Sequence, residues 1–177
     1  LQGSPFRGRP QQERQTRSAS HGDATAQRRR PYVLFPRVRV IDDPKLIPTA
    51  VEEIVRHVSP VLNFARTATQ DTELRGTPIK KGEKILLMYP SANRDEDVFE
   101  DAEAFKVDRD PNPHVAFGIG NHFCLGANLA RMEIRVMLEE ILKRMPDIEY
   151  ADGPPKMHPS LLVRSFTHMP VKFTPIA

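Results

Sequence analysis

A chain of 177 residues with 39% hydrophobic and 28% charged side chains has room for one domain with a sizeable core, or two at most. No apolar run reaches the roughly 20 residues of a membrane span, and the N-terminus lacks the apolar centre of a secretory signal. The net charge of +3 is modest, and one cysteine excludes an internal disulfide and suits a reducing compartment, so the expected location is cytoplasmic.

The positive charge is concentrated at the start. Residues 1–41 carry Arg7, Arg9, Arg14, Arg17 and Arg28 to Arg30 among Gln, Ser, Gly and Pro, too little apolar surface to offset the entropy of ordering them. They are expected to form a basic disordered arm. A nucleic-acid-binding arm is the functional alternative, weakened by the lack of aromatic residues interleaved to stack on bases; a segment foreign to the rest of the chain is the third. Residues 42–177 form the expected folded region.

Within it, Pro48 suits a first helical turn, and Val51, Ile54, Val55 and Val58 recur at helical spacing until Ser59-Pro60, which predicts a short helix. Phe64 to Thr69 and Lys84 to Tyr89 are rich in β-branched and apolar residues and read as strands of a small antiparallel sheet, with Gly76-Thr77-Pro78 and Lys81-Gly82 as turns between them. Ser91 to Pro113 is polar, acidic and bounded by prolines, the text of a meandering loop. After Cys124, two apolar stripes run to Pro146, one through Leu125, Leu129, Met132 and Val136, the other through Ile134, Leu138, Ile141 and Leu142. Apolar residues on more than one face predict a helix buried in a large core. Leu161 to Val163 and Val171 to Phe173 predict a terminal β-hairpin. The fold class is therefore mainly α with small antiparallel β-sheets.

The densest chemical signal is Phe117-Gly118-Ile119-Gly120-Asn121-His122-Phe123-Cys124-Leu125-Gly126, which sets glycines, an aromatic residue, a histidine and the sole cysteine at the start of a helix. A cysteine there faces the positive end of the helix dipole and unpaired amides, which favour thiolate, the form that binds metals. Gly120 permits a loop conformation that a side chain would obstruct, and Gly126 lets the helix backbone approach a flat, bulky ligand. Taken alone, a single cysteine is more readily a small buried hydrophobe, a preference that the surrounding glycines and aromatic residue reverse. Zinc is a poor competitor, since no second cysteine exists and His114 and His122 lack a usual paired spacing. A cysteine-protease reading is also weak, because His122 lies two residues away rather than on a separately placed element.

Phe-x-x-Gly-x-x-x-Cys-x-Gly resembles the haem-binding signature of cytochrome P450 enzymes. Two upstream motifs follow in the order that family shows. Glu53-Ile54-Val55-Arg56 resembles its Glu-x-x-Arg helix, whose side chains three apart pair on one face. Asn93-Arg94-Asp95, followed by Phe99 and Phe105, resembles the meander that locks this pair, so Glu53, Arg56 and Arg94 form the implied structural ion cluster. The resemblance implies haem b bound through Cys124 as iron ligand and catalytic thiolate, within a loop made by Phe117, Gly118, Gly120 and Gly126. It also implies Arg66 and His122 on the haem propionates, where cationic donors offset carboxylate charge.

The resemblance spans about Asp42 to Ala177 and implies a monooxygenase that takes electrons from a ferredoxin or flavoprotein, cleaves dioxygen and inserts one oxygen atom into a lipophilic substrate. Ser91 to Asp95, Arg109-Asp110-Pro111-Asn112-Pro113-His114 and His168-Met169-Pro170-Val171 are similar to actinobacterial members that hydroxylate steroid side chains and methyl-branched lipids. The family's long distal helix with its Gly-x-x-Thr element is not visible before Glu53. The sequence therefore reads as the C-terminal, proximal half of the fold, a truncated form with apolar helix surface left bare. The rival expectations are a catalytically inactive haem-binding remnant and, far behind it, a basic nucleic-acid-binding protein.

Overall fold

The computed structural model describes residues 37–175, so most of the expected basic arm lies outside the described residues. The described residues open with helix α1, Arg37–Asp42, and a single 3-10 turn, Pro44–Leu46, in which the Asp43 carboxylate accepts the Lys45 amide at 3.1 Å. Structure thus starts ahead of Asp42, and Val40 of α1 is already part of the core.

Helix α2 follows as Ile47–Val58, with Pro48 in its first turn where a missing amide hydrogen costs nothing. Ser59 ends it in a left-handed conformation (φ 44°), a strained choice for a residue with a side chain. Two bonds hold it there: its amide donates to Val55 O at 3.0 Å and its hydroxyl to Arg56 O at 2.8 Å.

Strands β1, Asn63–Thr67, and β4, Lys84–Met88, pair antiparallel with Arg66 opposite Ile85. Between them a second ribbon appears where turns were expected: β2, Thr72–Leu74, pairs with β3, Thr77–Ile79. Arg75 and Gly76 both have positive φ (48° and 80°), the two-residue hairpin geometry that needs left-handed backbone at both centres, so Gly76 is a turn residue while Thr77 and Pro78 belong to a strand.

One helical turn, α3 at Tyr89–Ala92, opens the meander; a 3-10 turn, Gly120–His122, closes it before α4, Ala127–Arg144. The C-terminal strands pair differently from expectation. Strand β5, Glu149–Tyr150, pairs with β8, Val171–Lys172, and β6, Lys156–Met157, pairs with β7, Phe166–His168. Leu161 to Val163 is the tip between β6 and β7: the Ser160 hydroxyl accepts the amides of Leu162 and Val163, bending the chain into a turn. Val163 forms an antiparallel bridge with Val61, flanked by bonds from the Leu62 amide to Leu162 O at 2.8 Å and from the Arg164 amide to Pro60 O at 2.7 Å.

The core lies between α2 and α4. Val40, Ile47, Ala50, Val51 and Val107 are buried there, with Phe105, Ile134, Leu138 and Leu142 packed against them. Each fully buried valine contributes about 1.5–3 kcal/mol relative to its exposed state. Only the second apolar stripe of α4 is used. Leu129, Met132, Val136 and Met137 are roughly half exposed, so α4 is not the fully enclosed helix its two stripes predicted.

Candidate cofactor-binding site

The site is built outward from a buried ion cluster on α2. Glu53 and Arg56, three residues apart, are both 0% exposed, where composition alone would have placed them in solvent. Arg56 grips Glu53 with Nε at 2.7 Å and Nη2 at 2.8 Å. Its remaining hydrogens go to the carbonyls of Asn93 (2.7 Å), Ala102 (2.8 Å) and Ala104 (2.9 Å), so one guanidinium staples the meander in three places. Glu53 accepts in addition the Lys106 amide at 2.8 Å, Arg109 Nε at 3.1 Å and Asn112 Nδ2 at 3.1 Å. Burial pushes the Glu53 carboxyl upward in pKa, but these donors, Arg56 foremost, outweigh it and hold the group below the ordinary carboxylate range. Phe99 lies beneath both guanidinia, 5.2 Å from Arg56 and 5.8 Å from Arg109.

Arg94 is not part of this cluster. Its Nη2 donates to His57 O at 2.7 Å and its Nε reaches Glu103 at 3.3 Å, so it caps the C-terminal carbonyls of α2, where cations are favoured. Arg109 takes the place expected for it. Both arginines lie in the meander, and the path the chain takes through it brings Arg109, not Arg94, to Glu53.

Asn93 carries the order onward to the cysteine loop. Its buried side chain donates to Ser59 Oγ at 2.9 Å and accepts the Val115 amide at 2.8 Å. Replacing Asn93 by Ala is expected to lower stability by about 2 kcal/mol through the unpaired Val115 amide, read as a lower urea midpoint with an unchanged slope.

Two residues beyond Val115 stands Phe117, whose carbonyl accepts the Cys124 amide at 2.8 Å and closes the loop. Gly118 (φ 72°) turns it; a Cβ there would lie 3.4 Å from His122 O. Gly120 (φ 65°) begins the 3-10 turn that ends at His122. Gly126 is the N-cap of α4, and a Cβ on it would point at the Cys124 sulfur from 4.0 Å. The Cys124 thiol is exposed. It opens into a cavity of about 750 Å³ whose walls include Phe64, Phe117, Phe123, Ile134, Arg66 and His122. A second hollow of about 840 Å³ shares Arg66 and His122. The Arg66 and His122 side chains are both exposed, and neither forms an ion pair among the described residues.

A single soft sulfur, a guanidinium, an imidazole and aromatic walls around one open cavity fit a flat, apolar group that carries a metal and carboxylates, and the bare Gly126 leaves room beside the sulfur for its plane. Residues 24–170 match the family model described as Cytochrome P450. The chain belongs to the cytochrome P450 family. It is 51% identical over 139 residues to the steroid C26-monooxygenase of Mycolicibacterium smegmatis, covering 78% of this chain and 35% of that protein. It is also 56% identical over 113 residues to the methyl-branched lipid omega-hydroxylase of Mycobacterium bovis, covering 63% of this chain and 26% of the relative. Among solved P450 structures it resembles CYP109E1 from Bacillus megaterium in complex with testosterone, with a TM-score of 0.75 and 38% identity over 78% of this chain and 39% of that one. The chain spans about a third of the length of the curated P450 relatives it matches. The cofactor of the P450 family is haem held by a cysteine thiolate.

Glu52, His114 and Arg131 also pack around the loop; the sequence named His114 only within a family-like motif and as a poor zinc ligand, and Glu52 and Arg131 not at all. Arg131 places its guanidinium 4.6 Å from the Phe117 ring centre, and the His114 ring lies 5.9 Å from the same ring. Their signal in the sequence was slight: an acid beside the Glu-x-x-Arg glutamate, and a histidine three residues before Phe117.

Proposed function

We propose that this chain supplies the thiolate side of a haem monooxygenase site, with Cys124 as the iron ligand and Arg66 and His122 as the donors to the propionates. The observation that carries the reading is the exposed Cys124 thiol, opening into the same cavity as those two side chains. Haem bound there would supply the iron at which dioxygen is activated, for insertion of one oxygen atom into a C–H bond.

The residues of this chain orient and shield. The amide hydrogen bond from Cys124 to Phe117 O fixes the ligand backbone, while Phe117 and Phe123, 6.4 Å apart, set an aromatic wall beside the sulfur. Arg66 and His122 line the same cavity as the sulfur and offer N–H donors to carboxylates there. The substrate is lipophilic, in the range of steroid side chains and methyl-branched lipids, a reading supported by the names of the two curated relatives. Electrons come from a ferredoxin or flavoprotein donor. Among the described residues no helix is long and apolar enough to cross a membrane.

The test is spectroscopic. The chain produced with haem available is expected to give, after reduction and exposure to carbon monoxide, the Soret band of a thiolate-ligated iron. A band at the position of histidine or thiol ligation, or no bound haem, sinks the reading. Arg66 bears no load in the fold, so Arg66→Leu is expected to leave urea unfolding unchanged while haem is lost about tenfold faster, the worth of one charge-assisted hydrogen bond.

A further inference from the structure

Three segments converge on one carboxylate next to the Glu53 cluster. Glu52 of α2 receives Arg131 of α4 through Nε at 2.6 Å and Nη2 at 2.9 Å, and His114 Nε2 from the loop before Cys124 at 3.0 Å. His114 Nδ1 accepts the Ala116 amide at 3.3 Å, which leaves the proton on Nε2 and makes that nitrogen the donor to Glu52. The His114 side chain is 2% exposed, and burial holds its pKa below the ordinary value against the pull of Glu52. The ring is therefore a neutral donor near pH 7.

The Glu52–Arg131 pair itself is about one-third exposed on both sides, and a pair of that kind adds little to stability on its own. What it does is geometric. Arg131 and His114 both lie against the Phe117 ring, and the Phe117 carbonyl is the acceptor that closes the loop on the Cys124 amide. Glu52 therefore ties α2, the start of α4 and the loop together at the aromatic residue whose carbonyl holds the Cys124 amide.

We propose that Glu52, acting through Arg131 and His114, is the positioning residue that sets Phe117 and thereby aims the Cys124 sulfur into the cavity. This rests on the haem reading above. Groups that orient a metal ligand from outside the coordination shell are commonly worth about 10–100-fold in affinity.

The experiment compares the haem-loaded chain with Glu52→Gln and with Glu139→Gln, which removes an exposed α4 acid facing Arg135. Two readouts are taken: the position of the reduced carbon-monoxide band, and the rate at which haem passes to an excess of apo-globin scavenger. Glu52→Gln is expected to lose haem about tenfold faster and to shift part of the band from the thiolate to the thiol position, with Glu139→Gln unchanged. Glu52→Asp, which keeps the charge, recovers part of both. If the parent chain shows the thiolate band and Glu52→Gln matches it in band and to within about twofold in rate, the positioning role is overturned and the haem reading stands. If the parent chain shows no thiolate band, the haem reading fails first. Should Glu52→Gln not fold, Arg131→Lys carries the comparison, since it keeps the charge but loses the two-pronged grip and the planar contact with Phe117; an unaltered band and rate in that variant overturns the proposal.

Discussion

Glu53→Gln is expected to remove a large part of the stability of the fold. The substitution is nearly isosteric, so packing alone predicts little change. Electrostatics predicts a great deal, because Arg56 and Arg109 are left as buried cations without a counter-charge. Breaking a buried pair from one side costs about 3–5 kcal/mol, against a total stability of about 5–15 kcal/mol for a domain. The three meander carbonyls that Arg56 holds would go with it. Far-UV circular dichroism and urea titration check this; a Glu53→Gln chain that unfolds within about 1 kcal/mol of the parent would show that the cluster is incidental.

The same cluster fixes the sign of the acid response. Because the folded Glu53 carboxyl is held below the ordinary carboxylate range, its contribution is complete at pH above that range and is lost as pH falls through the lower, folded value. Glu52 is displaced in the same direction: burial raises it, and Arg131 and His114 more than reverse this. Stability should therefore decline steeply on the acid side, with no corresponding loss from these groups toward neutral pH.

Cys124→Ala has the opposite profile, a large functional effect on an intact fold. The structural work of Cys124 is done by its backbone, through the amide to Phe117 O and the carbonyl that accepts Ala127 N at 3.2 Å, and alanine keeps both. Since the thiol is exposed, stability should change by no more than about 0.5 kcal/mol. The thiolate-type carbon-monoxide band should disappear completely, because no other cysteine exists to replace it. Retention of that band in Cys124→Ala would remove the sulfur from the mechanism.

How far the sequence could be read depended on whether the deciding interactions were local. Helix α2, the pairing of β1 with β4, the meander and the start of α4 follow from proline placement, apolar period and β-branched content, all of which act over a few residues. The β2–β3 ribbon was hidden because Arg75 shares the left-handed turn with Gly76, and arginine carries no signature of that conformation. The pairing of β5 with β8 joins residues more than twenty apart, and only assembly selects it. In the site, the glycines and Cys124 were legible because each answers a local steric or electrostatic demand. The choice of Arg109 over Arg94, and the burial of Glu53 and Arg56, were not, since a charged side chain looks the same in sequence whether it faces water or five hydrogen-bond donors. The bare stripe of α4 reflects the same difference: periodicity registers an apolar face without saying whether a neighbour covers it.

Glu52 and Glu53 are consecutive, yet one reaches toward α4 and the cysteine loop while the other holds the meander. Such adjacency makes α2 sensitive to its own length more than to its composition. One residue inserted ahead of Glu52 would rotate both acids by about 100° relative to the core-facing stripe, sending each to the wrong neighbour. Natural variation in this helix should accordingly consist of exchanges among Ile, Val, Leu and Ala, with insertions and deletions confined to the loops on either side.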